Sequence, residues 1–147
     1  RDIYIITGYK EELISKLGYQ TIHNRSFQTN NILHSFSNAF SILNEDTLVS
    51  YSDIYVEKKI FKELSNKTED IVLTIDKNWR DYYNNRIMHP ESQAEKVLLN
   101  RSKTVEKIGK HLPSQNDIEG VSFALSQLEA SVMLPSALVK PVAVAEA

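Results

Sequence analysis

Apolar residues along the chain fall into short blocks whose spacing alternates between two periods. Ile3, Tyr4, Ile5 and Ile6 form a continuous β-rich run, the pattern of a parallel strand covered on both faces. Gly8 turns the chain into a short helix with Leu13, Ile14 and Leu17 on one side, and Gly18 follows as a stop signal. "TIHN", residues 21–24, reads as a short strand. Ile32, Phe36, Ala39, Phe40 and Leu43 recur at three- and four-residue spacing and predict a helix, with Thr29, Asn30 and Asn31 as caps before it. "TLVSYSD" (47–53) is the next strand. "VEKKIFKELSN" (56–66) is a helix with Ile60, Phe61 and Leu64 inward, and "DIVLTID" (70–76) a further strand.

This alternation predicts an α/β fold with a Rossmann-like, mostly parallel sheet. Ligands of such sheets bind outside the carboxyl ends of strands, where Asp53, Asp76, and Thr7 with Gly8 are placed. After Trp79 the rhythm changes. "KNWRDYYNNRIMHPESQ" reads as a crossing loop or short helix, and "AEKVLLN" with "KTVEKIGK" as a strand pair about a turn at Arg101 and Ser102. Val121, Leu125, Leu128 and Val132 fit one helical face that Pro135 ends, and "SALVKPVAVAEA" reads as a loose tail. The expected division is therefore a partial domain over residues 1–120 and an atypical helix and tail over 121–147.

Composition narrows the classes of partner. A formal charge of −2 gives no electrostatic reason to expect nucleic acid or an anionic membrane. The 147 residues include no cysteine, which removes disulfides and thiolate metal sites and fits a reducing cytoplasm. No apolar run approaches the ~20 residues of a membrane helix. "RDIYIITGY" lacks the features of a signal peptide. A strand that begins just after Arg1 raises the expectation that an N-terminal part of a larger fold is absent.

Asp53 has two readings. A strand-end carboxylate either caps the following helix or is delivered to a crevice as a metal ligand, since burying it unpaired is costly. Asp76, in "DKNW", either initiates a turn or lines the same rim. The histidines at 23, 34, 89 and 111 form no HExxH or HxH pair, and the glycines at 8 and 18 do not form a phosphate loop.

The ordered segments "DIYIITGYKEELI", "TNNILHSFSNAFSIL", "DTLVSYSDIYVEKKIFKEL", "DIVLTIDKNWRDYYNNR" and "HPESQAEKV" resemble the sugar-phosphate-type nucleotidyltransferases. Within them the likeness is to the cytidylyltransferases that activate phosphocholine or small phosphonates. It covers residues 2 to 111 and is strongest from Thr47 to Arg86. The resemblance implies a nucleotide-diphospho-sugar transferase fold, truncated at its N-terminus. It also implies transfer of a cytidylyl group from CTP to a small phosphorylated or phosphonylated acceptor, with release of pyrophosphate. "YSD" matches the triplet that presents an Asp to magnesium, so Asp53 is the implied Mg2+ ligand. Asn30 and Asn31 match paired asparagines near nucleotide and acceptor, with helix capping as their other reading. Asp76 and Trp79 are implied acceptor-side residues, and Tyr82, Tyr83 and Arg86 share their segment, whose aromatics would hold an amine or quaternary ammonium or simply pack. Glu95 and Lys96 match a further segment.

Three departures shape the expectation. The triphosphate-gripping Gly-rich loop would precede Arg1, a late second metal-binding acid is not matched after Gly120, and Ser52 replaces a glycine. The expected product is a nucleotidyltransferase fragment, inactive alone, whose intact parent is the enzyme. The alternative is a non-catalytic α/β remnant serving as a binding or assembly module.

Overall fold

The computed structural model describes residues 2–113, 118, 120–128 and 142–146. The chain divides into two compact units, Arg1–Asn44 and Glu45–Ala147.

In the first unit, β1 (Tyr4–Thr7) pairs in parallel with β2 (Gln20–His23), and α1 (Glu11–Ser15) connects them. Gly8 is demanded by packing: a Cβ there would sit 2.6 Å from Cβ and Cγ of Phe27. α1 ends before Leu17, and of the apolar side predicted for it Leu13 and Leu17 are exposed while Ile14 is half-buried. α2 spans only Ile32–Ser37, shorter than its apolar spacing predicts. The reason is local competition. Ser37 Oγ donates to the carbonyl of His34, and Asn38 Nδ2 donates to the carbonyls of His34 and Ser35. Side chains thereby take the acceptors that a continuing helix would use. Phe36 and Phe40 still meet edge to face at 5.3 Å across the turns that follow.

The second unit is built on a sheet of order β6-β5-β7-β4-β8, with β3 also paired to β7. Its strands are β3 (Thr47–Val49), β4 (Ile71–Asp76), β5 (Lys96–Leu99), β6 (Val105–Gly109), β7 (Gly120–Leu128) and β8 (Val142–Glu146). β4 lies between β8, parallel to it, and β7, antiparallel to it. That position explains its apolar run: Val72 and Ile75 are fully buried and Thr74 nearly so. The α/β class predicted from the sequence holds. The described sheet is mixed rather than mostly parallel, because β5–β6, β5–β7, β3–β7 and β4–β7 are all antiparallel.

Helices and loops cover β4 and close two apolar clusters. α3 (Lys58–Leu64) places Ile60 and Leu64 on Val72, with Ile54 and Val56 against them. α4 (Trp79–Tyr83) places Trp79 among Ala94, Leu112 and Ile118, flanked by Tyr83 and Leu98. The predicted β5–β6 pair is present, joined through Asn100, whose Oδ1 accepts from the amides of Ser102 and Thr104.

Two readings of the C-terminal segment are corrected. Residues 120–128 form a strand, not a helix, and 142–146 form a strand rather than part of a loose tail. Val121, Phe123 and Leu125 alternate with Ser122, Ala124 and Ser126, a period of two that also satisfies part of a helical spacing. Val132 and Pro135 lie outside the described residues. The division expected at Gly120 falls on the first residue of β7, which pairs with β3, β4 and β5.

Leu64 has no exposed surface and seals α3 onto β4. Leu64→Ala is expected to lower stability by about 2–5 kcal/mol, read from urea unfolding midpoints.

Candidate functional site

β4 ends on Asp76 because its next residues turn. Asp76 Oδ1 accepts a hydrogen bond from the amide of Asn78 at 2.8 Å, and Asn78 precedes the first turn of α4. Asp76 is 7 % exposed, and Gly120 packs against its backbone, where a Cβ would lie 2.8 Å from the Asp76 carbonyl oxygen. Asp76 thus stands at the carboxyl end of an interior strand and initiates a turn, as the first of its two sequence readings has it.

Asp53 is arranged differently. β3 stops at Val49, four residues earlier, so Asp53 sits in an exposed turn and not on the strand predicted to carry it. Nor does it cap α3, whose cap position is Glu57. Its carboxylate has no hydrogen-bond or ion-pair partner among the described residues. Burial raises the Tyr51 phenol above its ordinary value, with further contributions from Glu95 and then Asp53. Two carboxylates therefore act on one phenol at this edge of the second unit. Glu95 precedes β5, and its carbonyl accepts from the amide of Ser122, which ties this edge to β7. The next residue, Lys96, is buried, and its ammonium donates to the carbonyls of Lys110 and Leu112 at 3.3 and 2.5 Å.

The other predicted residues have internal partners. Asn31 is the cap of α2, its Oδ1 accepting from the amide of His34 at 3.0 Å. Asn30 exchanges two amide bonds with the buried Asn24, at 2.9 and 3.0 Å, and Asn24 also donates to Ser35 Oγ. Both asparagines belong to the first unit, and Asp53, Asp76 and Trp79 to the second. Trp79 is corrected from a ligand-facing aromatic to a core residue: it is 1 % exposed, with Arg80 over its ring at 4.6 Å and Tyr83 edge-on at 6.0 Å. An indole enclosed in this way has no face left for an acceptor.

Sequence reasoning missed two features. Arg80 and Glu91 line an open cavity of about 350 Å³ beside α4, with Asp81, Tyr83, Asn84 and Asn85. In the first unit, His23 Nδ1 meets Glu11 Oε2 at 2.9 Å beside a cavity of about 510 Å³. The adjacency of Trp79 and Arg80 was a usable signal for the first. Glu11 and His23 are brought together only by the β1–α1–β2 turn. Among the described residues no group of three or more His, Cys, Asp or Glu side chains could hold a metal. None of their helices is long and apolar enough to cross a membrane.

Comparison with known proteins gives this geometry a context. The chain has the fold of the nucleotide-diphospho-sugar transferases. It superposes over 99% of its length, and 65% of the other chain, on the inositol-1-phosphate CTP transferase from T. maritima, with a TM-score of 0.67 and 17% identity. A CMP:2-keto-3-deoxy-manno-octonic acid synthetase complexed with CTP gives 0.66 at 8% identity, covering 100% of this chain and 72% of that one. In sequence the chain is 23% identical, over 84% of its length, to the CTP:phosphoglutamine cytidylyltransferase of Campylobacter jejuni. It spans 53% of that relative. No family model matches. The resemblance to cytidylyltransferase-like nucleotidyltransferases is thus supported by both sequence and fold.

Three variants test this geometry. Tyr51 is neutral at lower pH in both states, and its folded value lies above the unfolded one. Its stabilisation is therefore present below pH 10.0 and is lost as pH rises through the folded value. Tyr51→Phe is expected to flatten the alkaline fall in unfolding midpoint, and Glu95→Gln to lower the phenol titration seen by ultraviolet difference spectra. Asn24→Ala leaves Asn30 and Ser35 without their amide partner, and is expected to cost about 1–3 kcal/mol in chemical unfolding.

Proposed function

We propose that this chain is part of a magnesium-dependent nucleotidyltransferase that moves a cytidylyl group from CTP to a small phosphorylated or phosphonylated acceptor, releasing pyrophosphate. The observation that carries the reading is Asp53: an exposed carboxylate that caps nothing, with Glu95 acting on the same phenol, in a chain whose fold and sequence match CTP-using transferases. The curated relative is a phosphoglutamine cytidylyltransferase, which adds a phosphorylated amino acid to phosphocholine, aminoethylphosphonate and sugar phosphates as acceptor classes.

The donor fits a hard cation. Asp53 offers oxygens only, and Mg2+ characteristically takes one or two carboxylates, substrate phosphates and water. Bound there, the ion would supply charge neutralisation between two anionic reactants. The chain's own residues contribute position. Asp76 holds the turn that starts α4, and within the first unit Asn31 and Asn30 fix the start of α2. Trp79 acts from beneath, as the packed base of α4. No covalent intermediate is needed, so rate comes from orientation and electrostatics.

A second reading is a non-catalytic binding or assembly module. The observation favouring it is that the amides of Asn30 and Asn31 are engaged within the fold. Saturable micromolar binding of CTP with magnesium in calorimetry counts against that module.

Mn2+ used as a paramagnetic substitute is expected to broaden the resonances of Tyr51 and Asp53, and Asp53→Asn to abolish the broadening. In the intact enzyme, Asp53→Ala is expected to slow pyrophosphate release by about 100-fold or more. Near-normal turnover in that variant would overturn the assignment.

A further inference from the structure

Asn24 follows β2 directly, and its backbone amide donates to the carbonyl of Thr7 at 2.8 Å, which ties it to the end of β1. It is 2 % exposed. A primary amide has two donor protons and two acceptor sites, and burial makes each unmet one costly. Here all four are met within the first unit. Nδ2 donates to Asn30 Oδ1 at 2.9 Å and to Ser35 Oγ at 2.8 Å. Oδ1 accepts from Asn30 Nδ2 and from the backbone amide of Ser26, each at 3.0 Å. The Ser26 amide acts only as a donor, so it fixes which end of the Asn24 side chain is oxygen. The reciprocal pair then fixes Asn30 in the same way.

These directions leave a defined chemistry uncommitted. Ser35 Oγ is an acceptor toward Asn24, so its hydroxyl proton needs an acceptor elsewhere, and none lies among the described residues. Asn30 keeps one Nδ2 proton and one Oδ1 lone pair in the same condition. Ser35 lies in α2, Asn30 precedes the Asn31 cap of that helix, and both are half-buried. The side chains of Asn24, Asn30 and Ser35 carry no charge. Donors of this kind suit an uncharged acceptor atom, such as a ribose hydroxyl or a base carbonyl. Phosphate is held more strongly by cations.

We propose that Asn24 is a positioning residue for nucleotide binding: by donating to Ser35 Oγ it makes the Ser35 hydroxyl a donor for the nucleoside part of CTP, with Asn30 held beside it. The inference deepens the cytidylyl-transfer reading and rests on it for the identity of the nucleotide. Asn24→Asp exposes the mechanism. The substitution keeps the shape of the side chain but offers acceptors only, so the Ser35 proton turns to the new carboxylate and is withdrawn from the ligand.

The full chain is titrated calorimetrically with CTP and with inorganic triphosphate, each with magnesium. Ser35→Ala is expected to weaken CTP about tenfold, near 1.4 kcal/mol, and Ser35→Thr, which keeps the hydroxyl, to retain the affinity. Asn24→Asp is expected to weaken CTP to a similar degree, and the double variant no further, because both changes remove the same donor. Affinity for inorganic triphosphate, which lacks the nucleoside, is expected to stay level across the variants, whereas a general loosening of the unit lowers it too. A CTP affinity unmoved by Ser35→Ala overturns the proposal. So does a double variant that multiplies the two single effects, or an equal loss for CTP and triphosphate. In each of these results, binding of CTP by the unsubstituted chain leaves the cytidylyl-transfer reading standing. Absence of CTP binding by the unsubstituted chain removes both. Should Asn24→Asp fail to fold, the contrast between Ser35→Ala and Ser35→Thr decides the matter for the hydroxyl.

Discussion

β4 is hydrogen-bonded along both edges, and the second unit depends on that fact. A strand paired on both sides has no free backbone groups to solvate, so it tolerates apolar side chains almost throughout. Leu64 and Ile60 close over Val72, and the Trp79 cluster forms just after the strand ends. The close approach of Gly120 to the Asp76 carbonyl fixes where β7 enters, and the Asp76–Asn78 bond fixes where α4 leaves. The position of the α4 cavity follows from these contacts.

The carboxylates that matter occupy contrasting environments. Asp76 is enclosed and holds a backbone amide, so its charge is answered within the fold. Asp53 is exposed and has no hydrogen-bond or ion-pair partner among the described residues, which leaves its oxygens for an external cation. Lys96 is the complementary case: a buried ammonium satisfied by two carbonyls, which stitches the start of β5 to the segment after β6. Buried charges are tolerated where hydrogen bonds replace water, and ligand chemistry falls to those that water still reaches.

Much of the architecture was legible in the sequence. β1, β2, α3, β4 and the β5–β6 pair follow from apolar runs and turn residues that agree with their neighbours. β7 was not legible as a strand, because its alternation coincides with a helical spacing at Val121, Leu125 and Leu128. Its tertiary pairing decides between the two. α2 was overestimated because Ser37 and Asn38, which look neutral in a spacing argument, bond back to the last turn. At the site, the resemblance of its triplet singled out Asp53, but nothing in the local pattern showed its distance beyond the end of β3. Sequence left Trp79 with two readings, because an aromatic beside a strand end looks alike whether it faces a ligand or the core, and its burial follows the packing one. The cavity beside α4 depends on how the chain returns from α4 toward Glu91, which no local pattern encodes.

Trp79 is the sole indole in the chain. Enclosed in one cluster and overlaid by Arg80, it makes near-ultraviolet emission a single-residue signal. Its wavelength reports the packing of α4 and its intensity the guanidinium above it. Optical spectroscopy of the unlabelled polypeptide therefore watches the wall of the α4 cavity directly, with no engineered probe.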